Sequence, residues 1–268
     1  MTPAVTSADN SLLHSLAIQR RVVWALLMRE VINRFGRHNI GVLWLFGEPM
    51  IFTLGVATLW TLSGMSHGTG IPVAAFAVTG YSSVLMWRNS VNRCSSAIQS
   101  NLNLMYHRNV RVLDVLLTRI VLEMAGATAS FILLSLFFIA IEWILPPQDL
   151  LLVVAGWLML AWFGASLALT IGALTAYSAL IERLWHPVAY LLFPLSGAAF
   201  MVDWLPPAMR QVVLLLPMVH GVEMLREGYF GSAVRTHHDV AYMAACCLAL
   251  TFVGLFLTRD AALRVEAE

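Results

Sequence analysis

Six apolar runs, separated by short charged or proline-bearing stretches, fill most of this 268-residue chain. A hydrocarbon core of about 30 Å is crossed by a helix of about 20 apolar residues. Backbone polar groups at that depth must bond within the chain, so this pattern points to an all-α integral membrane protein. The runs cover 40–62, 71–87, 112–143, 150–177, 187–202 and 240–257. Charged residues make up only 12% of the chain, against about 25% in soluble domains. No stretch of useful size is left for a soluble domain, so an ATP-binding module is expected on another chain. The first ten residues are polar and lead into no short apolar core with a cleavage site, which predicts no signal peptide.

Two of the runs are irregular. The third is too long for a simple span, so its first turns are expected to stand in the cytoplasm. The fifth is short, and Asp203, Trp204 and the pair Pro206-Pro207 follow it. The next apolar stretch is broken near Pro217 and Gly221. This predicts a re-entrant or interfacial helical hairpin before the last span, since broken backbone survives at membrane depth only where protein or water satisfies it. The expected organisation is a cytoplasmic N-terminus and amphipathic helix over 1–38, a permease domain over 39–258 and a cytoplasmic tail over 259–268. Within the permease domain, a cytoplasmic loop is expected at about 88–111 and an external hairpin at about 203–237.

The basic residues are all arginine, and thirteen of the sixteen fall on one side of this arrangement. The other three, Arg210, Arg226 and Arg235, share the fifth loop. Positive charge favours the cytoplasmic side, which predicts both termini inside. The chain shows no internal repeat of the kind that builds many secondary transporters. Few carboxylates lie within the spans, so no proton or sodium relay is evident. The cysteines Cys94, Cys246 and Cys247 have no metal-site or disulfide spacing.

Several segments could carry function. Before the first span, Trp24, Leu27, Met28, Val31 and Phe35 recur at helical spacing, with Arg29, Glu30, Asn33, Arg34 and Arg37 on the other face. A helix of this kind lies in the membrane interface. It is either an anchor that obeys the charge rule or a gate whose arginines receive an anionic lipid headgroup, to which the guanidinium fork is suited. Glu48-Pro49 marks a kink and a polar group early in the first span. It is either a carboxylate near the cytoplasmic interface, close to Arg37, or a polar group that faces protein or water within the span. The loop residues Asn101, Leu104, Met105, Tyr106 and Arg108 mix apolar and polar types in a way that suits a short helix docking into a partner's groove. A helix folded back on the membrane would also account for them. Aromatics crowd the span ends, including Trp44, Trp60, Tyr81, Trp87 and Trp204, either as an interfacial belt or as a path for sugar rings. His220 and Glu223 stand three apart, but one such pair cannot fill a metal's coordination sphere. With Trp204 and Arg226 they form either a structural polar cluster or an external gate. Gly164-Ala165-Ser166 brings a serine into the fourth span, but no histidine lies well inside any span to activate it. Close helix packing is the expected role.

The stretch REVINRFGRHNIGVLWLFGEP resembles the opening of ABC-type polysaccharide-export permeases, nearest to the capsular exporters of Gram-negative bacteria. MYHRNVRVLDVLLTRIVLE and LPMVHGVEMLREGYF are similar to two later regions of that family, in the same order along the chain. The sequence departs from the pattern at Leu216-Pro217, where relatives have Asn-Pro, and at His107-Arg108-Asn109, which lacks a common proline. The resemblance implies a permease that works as a homodimer with two copies of a separate ATP-binding subunit, to which the apolar runs assign six spans. The substrate it implies is a lipid-linked polysaccharide, handed on to periplasmic adaptor and outer-membrane export proteins. ATP and Mg would sit on the partner subunit and no cofactor on this chain. No nucleic acid is expected, and no catalytic residue. By position, Arg29, Glu30, Arg34, Phe35, Gly36 and Arg37 match the N-terminal gate, and Gly41, Trp44, Glu48 and Pro49 match the start of the first span. Val219, His220, Glu223, Arg226 and Glu227 match the external motif. Exporters of O-antigen, of teichoic-acid-like polymers or of small drugs fit the same pattern less closely. A non-transporting assembly protein is the reading from another class.

Overall fold

The computed structural model describes residues 8–35, 41–63, 71–105 and 110–265. These residues are all helix, turn and loop. Helix α1 (Ala8–Phe35) precedes α2 (Gly41–Leu62) and α3 (Val73–Ser95). A 3-10 turn (Gln99–Asn101) runs into the short α4 (Leu102–Met105). The long α5 (Val112–Ala140) and α6 (Leu150–Leu174) follow, then α7 (Ala179–Leu195). After a second 3-10 turn (Val202–Trp204) come α8 (Pro207–Val213), α9 (Pro217–Phe230) and α10 (Val240–Val265).

Local chemistry sets these boundaries. The backbone N–H of Arg111 donates to the Asp114 carboxylate at 3.1 Å, closing the first turn of α5. Asp149 accepts from Leu152 N–H at 3.0 Å at the start of α6. Asp239 accepts from Tyr242 N–H at 2.9 Å at the start of α10. Each side-chain acceptor satisfies a donor that the first helical turn leaves open. Pro207 and Pro217 open α8 and α9, where the missing N–H costs nothing.

Three helices, spanning 112–140, 150–174 and 240–264, are long and apolar enough to cross a membrane. The α8–α9 pair, where a hairpin is expected, is bent by 106° at a short break. Two expected boundaries move. The fifth apolar run starts at Pro187, but α7 begins eight residues earlier, where the Ser178 hydroxyl accepts from Leu180 N–H at 3.2 Å. Pro187 and Pro194 are carried inside that helix. The second run ends at Trp87, but α3 continues to Ser95 because Ser90, Val91, Cys94 and Ser95 are buried against its neighbours. The first part of the expected cytoplasmic loop is therefore helix.

The core gathers around α3 and α6. Gly156, Gly164 and Gly172 on α6 recur at eight-residue intervals and let it approach three partners. A Cβ on Gly156 would sit 2.7 Å from the backbone nitrogen of Leu225 in α9. One on Gly164 would sit 3.0 Å from Cα of Trp87 in α3. One on Gly172 would sit 2.7 Å from the Leu116 side chain in α5. Ser166 is buried and donates to Phe163 O at 2.9 Å, in keeping with a packing role.

Candidate functional site

The polar side chains of the bundle gather at its two ends. At one end, three residues of α9 each fasten a different part of the chain. Asp239 N–H donates to His220 Nδ1 at 2.9 Å, so the ring proton sits on Nε2, which donates to Leu214 O at 2.8 Å. The two oxygens of Glu223 accept from the backbone N–H groups of Val202 and His237, each at 3.1 Å. Arg226, with no solvent exposure, donates to Gly197 O at 2.6 Å, Phe200 O at 2.7 Å and Ala198 O at 2.6 Å. Its guanidinium also lies 3.7 Å from the ring centroid of Phe76 in α3. Spacing of three along a helix puts these side chains on one face, and all three are buried. They clamp the 197–202 loop and the 237–239 segment onto α9 through backbone groups, which is the least sequence-dependent contact available.

Trp204 joins the same cluster by stacking on Phe76, with centroids 5.3 Å apart. Asp203 beside it lies 3.0 Å from His237 Nε2 and 3.5 Å from Arg210. The His237 hydrogen bond is the main reason its carboxyl is held below the usual carboxylate range. Thr236 donates to Glu227, and His238 Nδ1 lies 3.2 Å from the same carboxylate.

At the other end, α1 is fastened to the start of α5 and to the short turn before α4. Gln19 donates to Asp114 at 2.6 Å, and Arg29 donates to Asn101 Oδ1 at 3.1 Å. Glu30 lies 3.7 Å from Arg119 Nε. Arg119 in turn donates to Arg93 O at 2.6 Å, capping the end of α3, and to Ser100 Oγ at 2.8 Å. Asn101 is buried and uses its Nδ2 on Ala97 O at 2.9 Å, so its side chain faces inward. Leu104 and Met105 are half-buried. Of the other sequence-derived candidates, Tyr106, Arg108 and Arg37 lie outside the described residues, as do the side chains of Arg34, Phe35, Trp44 and Glu48.

A row of aromatic rings runs along α2, α3 and α7 to the α9 end. Phe193 of α7 is 5.4 Å from Tyr81, Tyr81 is 5.4 Å from Trp60 of α2, and Trp60 is 6.3 Å from Phe76. Trp204 then caps Phe76.

The sequence model of the ABC-2 type transporter family matches residues 21–230. The chain belongs to that family. The match takes in α2 to α9 and the row of rings from Phe193 to Trp204, while Gln19 and residues 236–239 of the polar clusters lie outside it. Among the relatives, the capsule polysaccharide export inner-membrane protein CtrC of Neisseria meningitidis serogroup B (strain ATCC BAA-335 / MC58) is 44% identical over 254 residues. That alignment covers 95% of this chain and 96% of the relative. The capsule polysaccharide export inner-membrane protein BexB of Haemophilus influenzae is 41% identical over the same shares. The polysialic acid transport protein KpsM of Escherichia coli is 26% identical over 247 residues, 90% of this chain and 94% of its own.

Sequence reasoning reached His220, Glu223 and Arg226 but not the groups they hold, because backbone carbonyls leave no trace in residue identity. Phe76 and Arg119 also went unmarked. Phe76 is one apolar residue among many. Arg119 had been counted only as a topological charge.

Proposed function

We propose that this chain is the membrane permease subunit of an ATP-driven exporter that moves lipid-linked capsular polysaccharide across the bacterial inner membrane. The observation that carries the reading is near-full-length similarity to proteins named for capsule polysaccharide export. In this reading the chain forms a homodimer and couples to two separate ATP-binding subunits that hold ATP and Mg. Periplasmic adaptor and outer-membrane export proteins take the polymer onward. Six spans, with both termini inside, divide the chain into the amphipathic segment 1–38, the permease domain 39–258 and the tail 259–268. The three long apolar helices α5, α6 and α10 support part of that count; the reading takes α2, α3 and α7 as the other three spans and the bent α8–α9 pair as the hairpin before the last.

Roles follow from position. Arg29, Glu30, Arg34, Phe35 and Arg37 form the cytoplasmic gate, with Trp44 and Glu48 at the start of the first span. The segment holding Asn101, Leu104, Met105, Tyr106 and Arg108 couples to the ATPase. The Arg29–Asn101 bond supports a direct link between the two, since any movement of the turn before α4 must pull on or release α1. Trp204, His220, Glu223 and Arg226 close the external end. The row of rings from Phe193 to Trp204 supports a sugar path over that stretch, because aromatic faces pack against the apolar faces of sugars. ATP-driven switching requires the coupling segment to make different contacts in the two states. A strain lacking the gene tests the assignment: polymer is expected to accumulate in the cytoplasm, and normal surface polymer would refute it.

A further inference from the structure

Arg88 lies well inside α3, packed against α7. Arg93 pairs with Glu123, Arg119 with Glu30, Arg210 with Asp203 and Arg264 with Asp260, while Arg226 donates through its two terminal nitrogens to backbone carbonyls. No carboxylate of a described residue pairs with Arg88. Its Nε is shielded from solvent without a hydrogen-bond partner. What packs on it is aromatic: the guanidinium carbon lies 5.4 Å from the Phe193 ring centroid and 5.9 Å from that of Tyr190, both on α7. Below it, Trp185 Nε1 donates to Asn92 at 2.8 Å and pins α7 to α3. Above it, Phe193 begins the ladder of rings through Tyr81. Tyr190 is 72% exposed on the outer side, so the site opens toward the surface that the membrane would cover.

Depth and chemistry select the ligand. Fifteen residues separate Arg88 from Val73 at the start of α3, a rise of about 22 Å. In the orientation above, with a core of about 30 Å, that puts Arg88 within reach of the cytoplasmic leaflet's phosphates. An ionisable residue at such a position is expected to face a partner or a path. A guanidinium packed on aromatic faces keeps its edge N–H groups for a planar pair of acceptor oxygens, and phosphate supplies them. We propose that Arg88, with Tyr190 and Phe193, is a binding site for the phosphate of an anionic lipid-linked glycan, holding the headgroup where the first sugar can pass to Tyr81. This rests on the exporter reading but names a contact that the N-terminal arginines do not supply.

The test uses the full permease–ATPase complex in detergent, with its melting temperature followed during titration. The probes are dioctanoyl phosphatidylglycerol, dioctanoyl phosphatidylcholine and inorganic phosphate. The phosphatidylglycerol is expected to stabilise the wild type in a saturable way that the zwitterionic lipid does not reproduce. Arg88→Gln should raise the half-saturating concentration about tenfold, the loss of one charge-assisted contact. Arg88→Lys should fall between the two, and Tyr190→Leu should weaken binding while keeping the packing. Unchanged binding in Arg88→Gln overturns the site, and if that variant does not fold, unchanged binding in both Arg88→Lys and Tyr190→Leu does so. Saturable inorganic phosphate binding lost in Arg88→Gln would make free phosphate the ligand and overturn the lipid assignment. Normal export in the deletion strain would sink the exporter reading instead, which the binding titration does not depend on.

Discussion

The guanidinium of Arg226 lies 3.7 Å from the ring centroid of Phe76, and Trp204 stacks on that same ring. A fully buried cation is tolerable here because three backbone carbonyls of the 197–200 turn accept from it at 2.6–2.7 Å. Breaking such an arrangement leaves buried acceptors with no donor.

Arg226→Met should therefore destabilise the protein by about 3 kcal/mol, the range for removing one side of a buried charged pair. Arg226→Lys should recover only part of the loss, because a single ammonium lacks the fork that reaches three carbonyls. Thermal unfolding of the purified protein reads both changes. A wild-type melting temperature in the lysine variant would show that charge alone suffices.

Gly156→Ala should separate α6 from α9. The added Cβ would meet the Leu225 backbone nitrogen at 2.7 Å, and backbone in a packed helix has little room to shift. A cost of about 1–3 kcal/mol is expected, as for other overpacked contacts. Equal stability of the two proteins would show that the helices slide freely.

Arg29→Gln and Asn101→Ala should not add. Each removes the same 3.1 Å bond, so the double variant should be little worse than either single one. Polymer-stimulated ATP hydrolysis by the complex measures the cycle. Fully additive losses would separate α1 from the coupling segment.

Leu104→Asp with Tyr106→Asp should leave the permease in the membrane but abolish co-purification of the ATPase. Leu104 is half-buried on the short α4, where a docking helix would present it. Tyr106 lies outside the described residues. Retained export by the double variant argues against docking at this segment.

Acid should loosen the 203–237 contact. Asp203 has its carboxyl lowered by the hydrogen bond from His237, so the ionised form is favoured in the folded protein. The contribution is present above the ordinary carboxylate value of about 3.9 and is lost as pH falls through the lower folded value. Asp203→Asn should flatten the stability profile below about pH 4. An unchanged acid limb would assign the loss to other carboxylates.

Three of the six apolar runs reappear as long helices with starts where they were expected, at Val112, Leu150 and Val240. Hydrophobicity over twenty residues is a collective signal that no single contact overrides. The boundary at Pro187 was misplaced for the opposite reason. Proline is a local breaker, and Ser178 capping together with packing of Trp185 and Ala189 against α3 carries the helix through it. The α9 triad was visible as a motif, but its character was not. Residue types alone left a gate and a structural cluster open, and the structure adds the backbone carbonyls and amides that the three side chains hold.

The sequence by itself determined that the chain is a bundle of apolar helices and that its motifs follow those of one transporter family. These properties are sums over many residues or matches in order along the chain. Tertiary structure alone decided which arginine caps a helix, which saturates a turn and which is left beside aromatic rings. Arg119, Arg226 and Arg88 are one residue type, and what separates them is the set of acceptors that distant segments bring within 3 Å.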